Sequence, residues 1–310
     1  MKWNVVLKVK DYIRSWSDQT IDTKYKNVSV HIEIKDLECH MCFDGEENIE
    51  ETFYLLWELF FLYDGYFYVP ISLEVDGKEV DTQRLIRVPF YVTDRQWYES
   101  ELLGRGERDL SAEVIERYAL FRNTGMKDQK MIKTIVNAFF YLHSEAYGRI
   151  NSNHRLSLLL NLADGFVINT FKDTNNVKAN LERMFKKTVD VQRVKRGIML
   201  LGMQADQFQY NLAEERKAFD HYIYSANSIA AFVFDSEDEK SNFITWYFVY
   251  ILELVIRLNF LKEIGVEIEQ EIRDYTLDVI VDWIIYENDL EEDCTTPYYR
   301  LRQLGRKMNR

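Results

Sequence analysis

The alternation of apolar and polar residues in the first 100 positions is typical of β-strands. Val28, Val30, Ile32 and Ile34 alternate with polar neighbours, which is the period of two expected of a strand with one buried face. The tetrapeptide Val75–Lys78 lies between two further strand-like runs, and its Asp-Gly pair favours a type I′ turn. The pattern therefore predicts an N-terminal region of strands that includes a hairpin at this turn.

One segment of this region, 50–63, has two conflicting signals. Leu55, Leu56, Leu59 and Leu62 follow the spacing of one helix face, whereas the many aromatic residues around them favour a strand. We give more weight to the spacing and predict a helix.

From about residue 107 the apolar spacing becomes helical for the rest of the chain. The predicted helices are 111–122, 128–147, 154–172, 177–189, 191–234 with room for a break, 241–264 and 268–287. The sequence thus predicts an α+β protein. A β-rich sensing or regulatory domain would span 1–105, and an all-α helical bundle would span 106–310.

The most apolar stretch, Phe243–Leu261, is interrupted by Glu253 and Arg257 at helical spacing. Its uncharged part, Ser241–Leu252, is too short to cross a bilayer, so a buried core helix explains it and we expect no membrane association. The N-terminus lacks the apolar core of a secretory signal, and three cysteines fit a reducing compartment better than a disulfide framework. We therefore expect a cytoplasmic protein.

The formal net charge of −12 disfavours general attraction to nucleic acid, so any RNA binding needs a local basic patch. One cluster of cations is a candidate for holding phosphates, although a solvated helix face is the simpler explanation. Its members are Lys186, Lys187, Arg193, Lys195 and Arg196.

Cys39 and Cys42 form a C-x-x-C motif that contains His40, and His31 lies nearby in the sequence. The spacing fits no common zinc module, and in a strand the two thiols would point to opposite faces. We expect ordinary strand packing here, and neither a metal nor a cofactor. The sequence also lacks the P-loop, dinucleotide-binding, nucleophile-elbow and zincin motifs.

The remaining chemical signal is an arginine followed five positions later by a histidine, which occurs as Arg149…His154 and as Arg216…His221. Chance produces such pairs often enough that their setting has to decide. The first pair lies at a Gly/Asn/Ser-rich junction, where His154 is expected to begin a helix. The second pair lies on a predicted helix, on which the two residues are about 140° apart and flank one edge. A solvated pair on a helix surface remains an alternative.

Four blocks in the helical region carry a resemblance to a known family. They are Val136–Tyr141, His154–Phe166, the motif Arg216-Lys217-Ala218-Phe219-Asp220-His221, and the apolar helix Phe248–Gly265. In order and spacing these blocks resemble the HEPN superfamily, and within it the ApeA-like HEPN proteins of anti-phage defence. Asp164 stands where the family often has a glutamate.

The resemblance implies a HEPN-like bundle that cleaves RNA without a metal ion, as a defence effector of abortive infection or as a toxin. His221 would act as general acid/base and Arg216 would stabilise the charged transition state, with Lys217, Asp220 and Asp164 in support. It also implies a homodimer in which two motif helices form one cleft. A phage-derived trigger or partner protein would act on the chain.

Two positions differ from the family pattern. Lys217 follows the arginine where Asn, Asp or His is common, and the glycine usual shortly after the histidine is absent. Two other interpretations therefore stay open. One is a non-catalytic HEPN-like dimer that acts as a scaffold or sensor, and the other is an unrelated helical interaction protein.

Overall fold

The structure is a computed structural model, and it describes ten segments of the chain. These are residues 1–8, 19–35, 38–65, 67–85, 110–123, 132–142, 152–171, 176–200, 204–221 and 239–287. By contacts the chain divides into two compact units. Unit 1 comprises Met1–Ile150, Gly165–Thr174 and Ile256–Ile272, and unit 2 comprises Asn151–Asp164, Asn175–Val255 and Arg273–Arg310. The predicted domain boundary near residue 105 lies outside the described residues.

Within unit 1, the described strands form one antiparallel sheet with the order β2-β3-β4-β1-β5-β6. The strands are β1 Lys2–Lys8, β2 Gln19–Tyr25, β3 Val28–Lys35, β4 Glu38–Asp44, β5 Val69–Val75 and β6 Lys78–Glu79. On β3 the buried and exposed residues alternate along the whole strand, so one face of the sheet belongs to the core.

The predicted hairpin is confirmed, since β5 and β6 pair antiparallel around the Asp-Gly turn. Asp76 and Gly77 have φ values of 49° and 76°, as the two central residues of a type I′ turn require. The predicted strand Val28–Ile34 is also confirmed.

The segment with conflicting signals forms a helix, α1, over Ile49–Asp64, as the leucine spacing predicted. Every residue from Thr52 to Asp64 is buried, because the aromatic residues extend the apolar surface around the whole helix. Phe53 of α1 contacts Phe43 on the buried face of β4, with ring centroids 6.1 Å apart. The aromatic residues of this segment therefore indicate a helix that is buried on all sides, and not a strand.

The described residues from 110 onward are mainly helical, as predicted. After a short 3₁₀ turn at Thr82–Arg84, the helices are α2 Ala112–Asn123, α3 Ile132–Tyr141, α4 Ser152–Phe171, α5 Val177–Thr188, α6 Val191–Leu200, α7 Phe208–His221, α8 Glu239–Glu263 and α9 Gln270–Glu287. The predicted helix 191–234 is broken between α6 and α7. Gln207 has a φ of 62°, which a right-handed helix cannot accommodate. Residues 222–234 lie outside the described part.

The core of unit 1 contains a cluster of aromatic rings together with one buried arginine. The rings in contact include Phe61, Phe67, Phe121, Phe139, Phe140, Phe166 and Phe260. Arg257 is buried, and its guanidinium donates to the carbonyls of Leu62 and Tyr63 at 3.0 and 2.9 Å. These carbonyls end α1, where a cation complements the helix dipole.

The core of unit 2 joins helices through aromatic contacts and one buried ion pair. Phe208 of α7 contacts Phe185 of α5 and Phe248 of α8, with ring centroids 5.3 and 6.2 Å apart. Glu253 of α8 accepts a hydrogen bond from Nε of Arg155 at 3.0 Å. Both charges that interrupt the apolar stretch are therefore buried and hydrogen-bonded, Glu253 to Arg155 and Arg257 to backbone carbonyls. The predicted core helix is confirmed. No helix in the described segments is long and apolar enough to cross a membrane.

Candidate functional site

The predicted motif lies on α7, which runs from Phe208 to His221 and carries Arg216 and Lys217 in its second half. Asp220 and His221 occupy the last two positions of this helix, and their side chains lie outside the described part. The backbone thus confirms the prediction that the motif lies on a helix.

Arg216 is held in one orientation by two acceptors on α4. Its Nε donates to Oδ1 of Asn161 at 2.6 Å, and its Nη2 lies 3.3 Å from Oδ2 of Asp164. The Arg216 side chain is 25% exposed. Its guanidinium is therefore oriented by the protein and still reaches solvent, unlike that of an arginine freely solvated on a helix surface.

Asp164 belongs to a buried polar network that links three helices. Its Oδ1 accepts a hydrogen bond from Nδ2 of Asn180 on α5 at 2.7 Å, while its Oδ2 faces Arg216 on α7. Asp164 and Asn180 are both buried. Both oxygens of the carboxylate thus have a polar partner, which is the condition for burying a charge at low cost. Two of the predicted site residues, Asp164 and Arg216, are brought together in this way.

The helices position this network through ordinary packing. Asn161 and Asp164 are three residues apart on α4 and so share one face. The Phe185–Phe208 contact holds α5 against the start of α7. The α5 helix begins at the N-cap Asn176, whose side chain accepts from the backbone N–H of Ala179. Asn180 follows one turn later, on the side that faces Asp164.

Lys217 points away from this network. Its ammonium pairs with the carboxylate of Glu214 on the preceding turn, and the side chain is 51% exposed. The hydrogen bond to Glu214 raises the pKa of Lys217. Lys217 therefore carries its positive charge outward, beside the motif arginine.

The predicted basic residues differ in their exposure and in their acidic partners. Arg193 is paired with Asp278 at 2.6 Å and Asp274 at 3.6 Å, and Lys195 lies 3.9 Å from Asp206. Lys187 is half-buried, whereas Lys186 and Arg196 are exposed. Of the predicted RNA-binding residues, Lys186 and Arg196 thus offer the most accessible charge.

The second arginine–histidine pair lies in a different setting. His154 is exposed in the first turn of α4, as predicted, and Arg149 lies outside the described residues.

The C-x-x-C motif also has the predicted arrangement. Cys39 is buried and Cys42 is exposed, on opposite faces of β4. Among the described residues, no group of three or more His, Cys, Asp or Glu side chains is placed to hold a metal ion.

Sequence reasoning missed the two asparagines of the network, Asn161 and Asn180. Asn161 had one available signal, because it lies one turn before Asp164 on the same helix face. Asn180 had none, since its contact with Asp164 depends on how α4 and α5 pack. The buried partner of Glu253, Arg155, was equally inaccessible to pattern analysis.

Compared with known proteins, the chain matches no protein-family model, no curated protein and no solved structure.

Proposed function

We propose that this protein is a metal-independent endoribonuclease that acts in the cytoplasm as an anti-phage effector of abortive infection, or as a toxin. The observation that carries the proposal is the geometry of Arg216. Its guanidinium is oriented by Asn161 and Asp164 and yet remains partly exposed. A cation held in this way costs little reorganisation when it meets a developing negative charge, which is the requirement for electrostatic catalysis.

In the proposed reaction the 2′-hydroxyl of a ribose attacks the adjacent phosphorus, and the bond to the 5′-oxygen of the next nucleotide breaks. His221 accepts the hydroxyl proton, or donates a proton to the leaving oxygen, as a general acid/base. Arg216 stabilises the extra charge on the pentavalent phosphorane. Asp164 and Asn161 act as positioning residues for the guanidinium, and Lys217 and Asp220 belong to the same motif helix.

The active form proposed is a homodimer in which the motif helices of two protomers form one RNA-binding cleft. The exposed Lys186 and Arg196 lie on α5 and α6, and α5 packs against the motif helix. They would contact phosphates locally despite the acidic total charge. A phage-derived molecule sensed by the β-rich region is the proposed trigger.

One observation favours a second candidate, a non-catalytic HEPN-like dimer that acts as a scaffold or sensor. The carboxylate of Asp164 lies 3.3 Å from Nη2 of Arg216 and offsets much of its charge. In this alternative Arg216 ties α7 to α4, and its role is structural.

The test is cleavage of a mixed RNA substrate by the full chain in the presence of EDTA, comparing wild type with three variants. We expect His221→Ala and Arg216→Ala each to lower the cleavage rate by about 10²–10⁴-fold. The matched control, His154→Ala, removes the histidine of the other arginine–histidine pair and should retain the wild-type rate.

Thermal unfolding and light scattering of the same samples separate the two candidates. A dimer that cleaves no RNA, and in which Arg216→Ala lowers the unfolding temperature, would favour the scaffold. Full activity in His221→Ala would remove the ribonuclease assignment. Equal losses in His154→Ala and His221→Ala would show that the wrong pair had been chosen.

A further inference from the structure

The carboxylate of Asp164 lies closer to a neutral amide than to the motif arginine. Its Oδ1 accepts a hydrogen bond from Nδ2 of Asn180 at 2.7 Å, whereas its Oδ2 lies 3.3 Å from Nη2 of Arg216. A hydrogen bond between a guanidinium and a carboxylate is usually about 2.7–2.9 Å long, because both partners are charged. The contact between Asp164 and Arg216 is therefore longer than the two charges alone would favour.

The short contact of Arg216 is also made to a neutral group. Its Nε donates to Oδ1 of Asn161 at 2.6 Å. A neutral acceptor fixes the direction of a guanidinium without cancelling its charge, whereas a carboxylate that accepts two parallel hydrogen bonds does both. The observed geometry thus orients Arg216 chiefly through the amide of Asn161.

Asn180 is the residue that holds Asp164 in this geometry. It is buried on α5, and its amide occupies the carboxylate oxygen that does not face Arg216. Only 8% of the Asp164 side chain is exposed, so water cannot readily replace a lost donor. Without the Asn180 amide, a rotation of the carboxylate would turn both oxygens to the guanidinium, which is the favoured bidentate arrangement.

We propose that Asn180 is a positioning residue that keeps Asp164 from neutralising Arg216. By occupying one carboxylate oxygen, its amide limits Arg216 to one long contact with the other oxygen. The charge of Arg216, whose side chain is 25% exposed, then stays available for an incoming anion. The use of that charge in catalysis rests on the proposed ribonuclease, whereas the competition between Asn180 and Arg216 for Asp164 does not.

A second buried hydrogen bond in unit 2 offers a matched control. The hydroxyl of Tyr247 donates to the carbonyl oxygen of Val194 at 3.0 Å, and Tyr247 is buried as Asn180 is. This bond joins α8 to α6 and involves neither Asp164 nor Arg216. Tyr247→Phe therefore removes a buried hydrogen bond from the same unit and leaves the donors around Asp164 unchanged.

The first measurement is the rate at which phenylglyoxal modifies Arg216 in the full chain, followed by peptide mapping and mass spectrometry. The reagent attacks the neutral guanidine, so a carboxylate beside the group slows the reaction by favouring the charged form. We expect Asn180→Leu to lower the Arg216 rate at least about threefold, because both oxygens of Asp164 turn to the guanidinium. Tyr247→Phe should keep the rate within about twofold of the wild type. If Asn180 served packing alone, its loss would loosen the helices and raise the rate.

Asp164→Asn tests the other side of the same competition. It keeps an oxygen acceptor for Asn180 and removes the negative charge, so it should raise the rate at Arg216. Asn180→Leu added to Asp164→Asn should then have little further effect, because no carboxylate remains to rotate. Circular dichroism identifies the folded variants, and Asn180→Ala is the second variant without the donor if Asn180→Leu does not fold.

RNA cleavage by the same variants in EDTA measures the catalytic consequence. Asn180→Leu should lower kcat about tenfold or more with little change in KM, because Arg216 acts on the transition state. A phenylglyoxal rate that is unchanged or higher in the folded Asn180 variants would overturn the proposal, as would an unchanged rate in Asp164→Asn. If the wild type cleaves no RNA, the ribonuclease proposal fails, and the phenylglyoxal rates still decide the role of Asn180.

Discussion

Each unit contains a buried carboxylate beside an arginine, but the two carboxylates are satisfied to different degrees. In unit 1, Oε2 of Glu58 accepts from the Tyr118 hydroxyl at 2.7 Å and lies 2.8 Å from Nε of Arg122. Its other oxygen, Oε1, is buried without a hydrogen-bond partner among the described residues. In unit 2, Asn180 and Arg216 engage one oxygen of Asp164 each.

This difference separates an ion pair that joins two helices from a network that orients a functional group. Burial raises the pKa of Glu58 more than the attraction of Arg122 lowers it, so the carboxylate is held at a cost. Burial and the neighbouring Glu58 also raise the pKa of Tyr118, which keeps its hydroxyl a donor. Asp164 is also buried, but each of its carboxylate oxygens has a polar partner. Such a network favours one position of the arginine.

The largest expected effect is on Glu58, the less satisfied of the two carboxylates. Glu58→Ala leaves Arg122 and the buried Tyr118 hydroxyl without their acceptor, and we expect a loss of about 3–5 kcal/mol in the free energy of unfolding. Urea denaturation measures it. Glu116→Ala removes an exposed carboxylate from α2, the helix that carries both partners, and should change stability by about 0.5 kcal/mol or less. A loss from Glu58→Ala no larger than this control would contradict the comparison.

A smaller loss is expected at Asp164, whose two carboxylate oxygens both have polar partners. Asp164→Ala leaves the buried Asn180 amide without its acceptor and frees one side of Arg216, which retains Asn161 and partial solvent access. We expect a loss of about 2–3 kcal/mol by urea denaturation. Glu182→Ala serves as the control on α5, because it breaks an exposed pair with Lys178 and should cost about 0.5 kcal/mol or less. A loss of stability larger than that of Glu58→Ala would contradict the expected order of the two carboxylates.

The contribution of Glu58 to the stability of the fold should depend on pH. Because the pKa of Glu58 is raised above its ordinary value of 4.5, the folded state binds more protons than the unfolded state in the interval above that value. The contribution of Glu58 to stability is therefore fully present below about pH 4.5 and declines as the pH rises through the raised pKa.

Glu58→Gln removes this titration and keeps an oxygen acceptor for Tyr118. The stability of the wild type minus that of Glu58→Gln should fall as the pH is raised from 4.5 towards 8. Urea denaturation across this range measures the difference, and Glu116→Gln controls for the loss of one carboxylate. A difference that rises with pH would mean that the attraction of Arg122 outweighs the burial of Glu58.

Much of the fold could be predicted from local pattern. The strand Val28–Ile34, the Asp-Gly hairpin and the helix of residues 50–63 follow from periodicity and turn chemistry, which act over a few neighbouring residues. Arg216 and Asp164 were chosen through a family resemblance, and the structure brings them together, whereas the catalytic roles of Arg216 and His221 stay predictions.

By itself the sequence determined the elements, the α+β class and the helix on which the motif lies, because these depend on the spacing of apolar residues along one segment. Only the tertiary structure decided which distant residues meet. Asn180 reaches Asp164, Arg155 reaches Glu253, and Cys42 lies opposite His31, although nothing in their own segments announces these partners. Burying an unpaired polar group costs free energy, so such partners are selected when whole helices and strands pack together. This selection leaves no periodic pattern in either segment of the sequence.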